Sequence, residues 1–188
     1  MRCFGDGDPL YERYHDEEWG RPLADGDDDE RALFERISLE AFQSGLSWLV
    51  VLRKREAFRE AFRGFDPHAV AAFTDDDVDR LLADAGIIRN RAKIEATIAN
   101  ARALLALHDR GETLAGLLAR HAPPPREAPP AAPSQVPSAT AESHALAKEL
   151  RGAGFRFVGP TTAYATMQAV GVVDDHLATC DVRASARG

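Results

Sequence analysis

Long apolar runs are missing from this chain of 188 residues: no stretch of 18 or more hydrophobic residues occurs. A membrane-spanning helix is therefore not expected. The start, Met1-Arg2-Cys3-Phe4-Gly5-Asp6, leads into acid and not into an apolar core, so no secretory signal is expected either. Only two cysteines are present, Cys3 and Cys180, which excludes a disulfide-dense scaffold. That count fits a reducing, cytoplasmic compartment. Alternation of β-branched with polar residues is also lacking. Positive charge is in deficit, with a net charge of −7.

The deficit is local. Residues 1–40 carry five basic and thirteen acidic side chains, whereas residues 41–188 are close to balance at +1. Basic clusters follow the acidic segment: Arg53-Lys54-Arg55 with Arg59 and Arg63, then Arg89, Arg91 and Lys93. Each reads equally as a solvated helix face. The acidic strip over 25–29 either starts a helix or keeps DNA away.

What remains is helical periodicity with clear punctuation, so the fold class expected is all-α. Leu33, Phe34, Ile37 and Ala41 repeat at helical spacing within 29–44. Ser47 is a candidate cap for a helix carrying Leu49, Leu52, Phe58 and Phe62 and stopping at Gly64. Asp66-Pro67 is a cap followed by proline at the first helical position. Thr74 with Asp77 starts another helix, ended by Gly86. Further helices are expected over about 89–109, 113–121, 140–152 and 161–170. Seven of the eleven prolines fall in 122–137, which cannot be helical and reads as a linker or long surface loop.

Three constellations carry chemistry. Cys3, His15, His176 and Cys180 make a two-thiol, two-imidazole set of the kind zinc prefers. His176 and Cys180 would share one helix face, four residues apart. Such a zinc would be structural and would fasten the two chain ends. Unrelated reduced thiols and surface histidines, or a Cys3–Cys180 disulfide, are the other readings of those residues. Second, residues 152–160 read Gly-Ala-Gly-Phe-Arg-Phe-Val-Gly-Pro between two helices, with Gly154 and Gly159 permitting a tight turn. Thr161 or Thr162 would cap the following helix, whose amides suit a phosphate. That is either a helix-hairpin-helix element gripping a DNA backbone or an ordinary corner. Third, Glu40 falls on the apolar stripe with Leu33 and Ile37. It sits either at the edge of that stripe with its head in water, or buried for a reason.

The strings Asp8-Pro9-Leu10-Tyr11, Tyr14-His15-Asp16-Glu17-Glu18-Trp19-Gly20 and Gln43-Ser44-Gly45-Leu46-Ser47-Trp48 give the chain a resemblance to a known family. So do Asp84-Ala85-Gly86-Ile87-Ile88-Arg89, the block at 154–159, Met167-Gln168-Ala169 and Asp175-His176. Together they resemble the 3-methyladenine DNA glycosylase I branch of the helix-hairpin-helix glycosylase superfamily. The resemblance covers nearly the whole chain and is weakest over 122–137. It implies one glycosylase unit over 1–188, with 122–137 a surface excursion. It implies structural zinc on Cys3, His15, His176 and Cys180, and DNA phosphates held by the hairpin, including Gly154, Phe155, Gly159 and Thr161. Alkylation-damaged double-stranded DNA would be the partner, met by a monomer with no membrane contact.

The same resemblance implies that Glu40 faces a flipped N3-methyladenine, ionised and accepting hydrogen bonds from it. Tyr11, Tyr14 and Trp48 would be pocket aromatics, with Trp19 near the zinc instead. Leu46 would fill the vacated place in the DNA stack. Asp174 matches a catalytic aspartate of the wider superfamily, and it equally suits a cap on the helix carrying His176. The family pattern has tryptophan two residues after the first cysteine. This chain has Gly5 there, which cannot supply that wall: either Phe4 replaces it or the pocket is roomier and less selective. Without a lysine beside the hairpin, base hydrolysis without strand cleavage is expected. The competing reading is a zinc-stabilised DNA-binding module that catalyses nothing.

Overall fold

The computed structural model describes residues 1–22 and 27–182. Ten α-helices appear among them: α1 Pro9–Glu17, α2 Asp27–Gln43, α3 Trp48–Arg53, α4 Arg55–Ala61, α5 Pro67–Ala71, α6 Asp75–Ala83, α7 Arg91–Asp109, α8 Leu114–Arg120, α9 Ala141–Gly152 and α10 Pro160–Ala169. No strand occurs among the described residues, and none of these helices is long and apolar enough to cross a membrane. The acidic strip lies partly outside the described residues; its backbone from Asp27 onward opens α2.

Most helix starts follow from local chemistry. Asp66 accepts from His68 N and Ala69 N ahead of Pro67. Thr74 and Asp77 form a reciprocal capping box, as do Thr140 and Ser143. Asn90 and Thr113 cap α7 and α8. Asp8 followed by Pro9 caps α1, accepting from Leu10 N and Tyr11 N. That is the same signature as Asp66-Pro67, yet the hydrophobic pattern after it is too short to announce a helix.

Four expectations need correction. The helix expected from Ser47 to Gly64 breaks at Lys54 (φ −101°, ψ 1°), whose ammonium reaches the Ala85 and Gly86 carbonyls at 2.9 and 3.0 Å. The helix after Thr74 stops at Asp84, not Gly86, because Asp84 turns its carboxylate onto Gly86 N at 2.7 Å. The cap of α10 is Gly159, with Pro160 first in the helix, so Thr161 lies inside the first turn. The segment holding His176 and Cys180 is irregular, so their spacing does not reflect a helix face.

The long helices α2 and α7 carry the centre. Phe34, Ile37 and Phe42 of α2 are fully buried, as are Ile94, Ala101 and Leu104 of α7. Each buried aliphatic or aromatic side chain of this kind contributes roughly 1.5–3 kcal/mol. The α9–α10 hairpin docks on α7 through one side chain. Asn100 donates to the Arg156 carbonyl at 3.1 Å and accepts from Arg156 N at 2.7 Å. Gly154 takes the positive φ of 104° that the turn requires. Phe155 is buried behind it, whereas Phe157 is exposed and is held at φ 56°, a conformation unusual for a non-glycine residue. Asn100→Ala removes both bonds and leaves Arg156 without its partner. It should lower unfolding free energy by about 1–3 kcal/mol. Urea denaturation checks this, with a lower midpoint and an unchanged slope expected.

Candidate active site and metal cluster

The two chain ends meet. Gly20 N donates to the Ala169 carbonyl at 3.2 Å, Asp181 N to the Met1 carbonyl at 3.1 Å, and Leu177 N to the Cys3 sulfur at 3.3 Å. The Met1 amino group pairs with Asp181. Gly20 cannot be replaced here: its φ is +75°, and a Cβ would stand 2.5 Å from His176 Cε1.

At this junction Cys3, His15 and Cys180 bring their ligand atoms within 4.8 Å of one another. His15 Nε2 lies 3.6 Å from the Cys180 sulfur. His15 Nδ1 meets Asp16 Oδ1 at 2.9 Å, and Asp16 is held down at about 2, first by its hydrogen bonds from Arg2 and then by His15. His176 stands beside the trio, its ring 5.5 Å from that of His15, with Nδ1 3.0 Å from Asp174 Oδ1. Both imidazoles thus turn Nδ1 to a carboxylate; His15 Nε2 faces Cys180 and accepts from Cys3 N at 3.2 Å, whereas His176 stands outside that group of three. A carboxylate on the other ring nitrogen is how metal-binding histidines are usually oriented. Burial pushes the Cys3 thiol up to about 12, a shift that a bound cation reverses. The donor set therefore fits a metal ion.

Against the cluster lies a cavity of about 410 Å³. Phe4, Tyr11, Tyr14 and Trp19 line it from the N-terminal end, Glu40 and Gln43 from α2, and Trp48 from the start of α3. Gln168, Asp175 and Leu177 close it from the C-terminal end. Tyr11 and Tyr14 are three apart on α1 and so share a face. Phe4 stands 4.9 Å from Tyr11 and 5.0 Å from Trp19, ring to ring, and does supply an aromatic wall. Trp19 packs on His15 and His176 as expected, but it also lines the cavity, which the sequence reading had not assigned to it.

Glu40 is buried, at 6% exposure, and among the described residues neither carboxyl oxygen is held by a hydrogen bond. Burial pushes it up to about 7, with the nearby Arg36 guanidinium pulling the other way. Arg36 is itself buried, donates to the Tyr14 hydroxyl at 3.1 Å, and lies 5.2 and 5.8 Å from the Tyr14 and Trp48 ring centres. Trp48 Nε1 is buried with no hydrogen-bond partner. The slot thus joins flat aromatic faces to a buried carboxyl that no hydrogen bond among the described residues engages.

Two neighbouring aspartates take different places. Asp174 faces His176, accepting from its backbone N at 3.1 Å, and does not line the aromatic slot. It caps no helix, because none begins there. Asp175 lines the slot and is buried, receiving Tyr164 Oη at 2.5 Å and Gln168 Nε2 at 2.8 Å. Sequence reasoning missed Asp175 and Arg36. Arg36 had a signal, one turn before Glu40 on the same helix face; Asp175 had only its place in a motif. Leu46 is 42% exposed on the turn after α2, whose end is held by Lys93 Nζ at 2.9 Å from the Phe42 carbonyl and 2.7 Å from that of Ser44.

A helical protein with a hairpin and a carboxyl-lined aromatic slot, to which α10 contributes Gln168, is built to hold a flat ring beside an anion. The methyladenine glycosylase family matches residues 4–184 of the chain. The chain belongs to that family. It is 48% identical to DNA-3-methyladenine glycosylase 1 of Escherichia coli K12, over 92% of this chain and 91% of that protein. A crystal structure of 3-methyladenine DNA glycosylase I superposes with a TM-score of 0.90 at 47% identity, covering 96% of this chain and 98% of the other. A structure of the Staphylococcus aureus enzyme, which addresses 3-methyladenine recognition, gives 0.88 at 35% identity, covering 96% and 94%.

The raised Glu40 pKa carries a stability consequence. Its folded value, about 7, exceeds the ordinary 4.5, so folding favours the protonated form. Ionisation in the folded slot therefore costs stability progressively from pH 4.5 to 7. The full cost, on the order of 3 kcal/mol, is present only above that window. Glu40→Gln should raise Tm at pH 8 by roughly 6–12 °C and change it little at pH 4.5. Thermal melts of both proteins across pH check this.

Proposed function

We propose that the chain extrudes N3-methyladenine from damaged duplex DNA into the aromatic slot and hydrolyses its N-glycosidic bond. The observation that carries this reading is Glu40, a carboxyl buried among aromatic rings with no protein hydrogen bond of its own. A base inside a duplex is out of reach, so it must be flipped. N3-methylation makes the base cationic in the nucleotide. Aromatic faces attract that cation more than neutral adenine, and Glu40, ionised, pairs with it and accepts its hydrogen bonds. Tyr11, Tyr14 and Trp48 form the stacking surfaces.

The bond between the sugar C1′ and the base breaks with its electron pair going to the base, which leaves neutral. The sugar passes through an oxocarbenium-like state that water captures, releasing a proton. Little further push is needed, because the leaving group starts as a cation. The slot contains no lysine, and Lys93 is occupied by two carbonyls, so no Schiff-base step follows and the strand stays intact. Asp174 is assigned to orienting His176.

On the DNA side, Gly154, Phe155 and Gly159 shape the hairpin, and the amides at the start of α10, including that of Thr161, meet a phosphate. Leu46 fills the gap left by the base. Zinc suits Cys3, His15, Cys180 and His176, with His176 Nε2 as fourth ligand. With four protein ligands it is structural. The whole chain acts as one unit and as a monomer, with 122–137 an excursion from it.

The test is release of free bases from methylated duplex DNA, each identified by mass. Wild type should release N3-methyladenine and leave N7-methylguanine in place. Glu40→Gln should lower single-turnover release about 100-fold or more while DNA binding is kept. In wild type, kcat/KM should rise with pH toward about 7 as Glu40 loses its proton, then level. DNA binding without any base release would instead mark the chain as a non-catalytic binding module.

A further inference from the structure

The proline-rich segment is part of the slot. Pro133 and Val136 line it together with Glu40, Trp48, Gln168 and Asp175. Seven prolines deprive residues 122–137 of backbone donors, so the segment cannot tie itself down by a hydrogen-bond ladder. Its internal ties are few: Ala131 N to Gln135 Oε1 at 2.7 Å, and the short 3-10 turn Pro133–Gln135. Polar contacts fix its middle to the rest of the molecule at Pro130 and at Arg126, which meets the Tyr164 hydroxyl as well as Asp175. Ala178 N donates to the Pro130 carbonyl at 2.9 Å, and Arg126 Nη2 meets Asp175 Oδ1 at 2.8 Å.

The second contact is unlike a surface pair. Asp175 is fully buried, and its other oxygen already takes Tyr164 and Gln168 of α10. A buried carboxylate requires a cation or its charge is uncompensated, and breaking such a pair is costly. Arg126 supplies that cation from a segment with almost no other anchor. One carboxylate thereby joins the proline-rich segment, α10 and the strip leading to His176.

We propose that Arg126, paired with Asp175, is a positioning residue that seats the proline-rich segment as one wall of the base slot and so sets which alkylated bases fit. This rests on the glycosylase reading above. Arg126 touches no reacting atom; it acts through Pro133 and Val136. Loosening the wall weakens capture of the flipped base and admits larger N3-alkyl purines, while the chemistry at Glu40 is spared.

The experiment uses the full chain carrying Arg126→Ala or Arg126→Lys, with methylated and ethylated duplex DNA. Arg126→Ala should raise the half-saturating concentration for N3-methyladenine release about tenfold, with the saturated rate changed less than about threefold. The ratio of N3-ethyladenine to N3-methyladenine released should rise. Arg126→Lys should restore most of both. Hydrogen exchange at the amides of Ala131, Gln135 and Val136 should quicken in Arg126→Ala alone. Unchanged saturation and selectivity in Arg126→Ala would overturn the proposal. So would parallel loss of rate and affinity that Arg126→Lys does not rescue. If wild type releases no alkylated base, the glycosylase reading falls, and exchange at those amides alone decides whether the pair seats the segment.

Discussion

The junction of the two chain ends is the constraint on which the slot depends. Its aromatic walls come from residues 4–19 and Trp48 and its far side from residues 165–177, and Cys3, His15 and Cys180 converge where those two ends meet. Backbone bonds between the ends are few, and each is a single contact. A metal ion on that cluster would add far more than any of them. Arg2 and Asp16 behind His15, and Asp174 behind His176, orient the two imidazoles from the same two ends. The clasp and the slot are therefore one construction: Phe4 follows Cys3, Tyr14 precedes His15, and Trp19 packs on His15 and His176.

Within that frame the slot opposes two terms. Taking Glu40 out of water disfavours its charge, and Arg36 only partly compensates. A neutral purine does nothing to relieve this. On the proposed function, a cationic one would pair with the carboxylate and stack on rings that favour positive charge. Selectivity then arises from stored desolvation, at the expense of stability, which is a common arrangement at active sites. The aromatic content of the chain is low, three tyrosines and two tryptophans among nine phenylalanines, and two of those tyrosines and both tryptophans stand at this one place.

Much of the fold was legible. Where a capping residue stood before a periodic run, as at Thr74, Thr113 and Thr140, the helix formed there. Helix α1 was missed because its first turn repeats the Asp-Pro signature without enough apolar residues behind it. The break at Lys54 was hidden because its cause is a tertiary contact, with carbonyls 31 and 32 residues away. Among the site residues, Glu40 was visible as a carboxylate on an apolar stripe, but its burial was not decided by the stripe. Spacing misled at His176 and Cys180, whose segment is irregular and gives them no shared helix face. The wall contributed by Pro133 and Val136 was invisible, since composition identifies a loop and says nothing about where it returns.

The measurement that tests the dependence of the slot on the clasp is binding of free 3-methyladenine, followed by tryptophan fluorescence, alongside metal content. Trp19 and Trp48 are the only tryptophans and both line the slot, so the signal reports from the site itself. The account predicts one zinc per chain, saturable quenching by the base, loss of both on chelation, and recovery of both when zinc is restored. Base binding that survives complete removal of metal, or a folded chain that never held any, would contradict it.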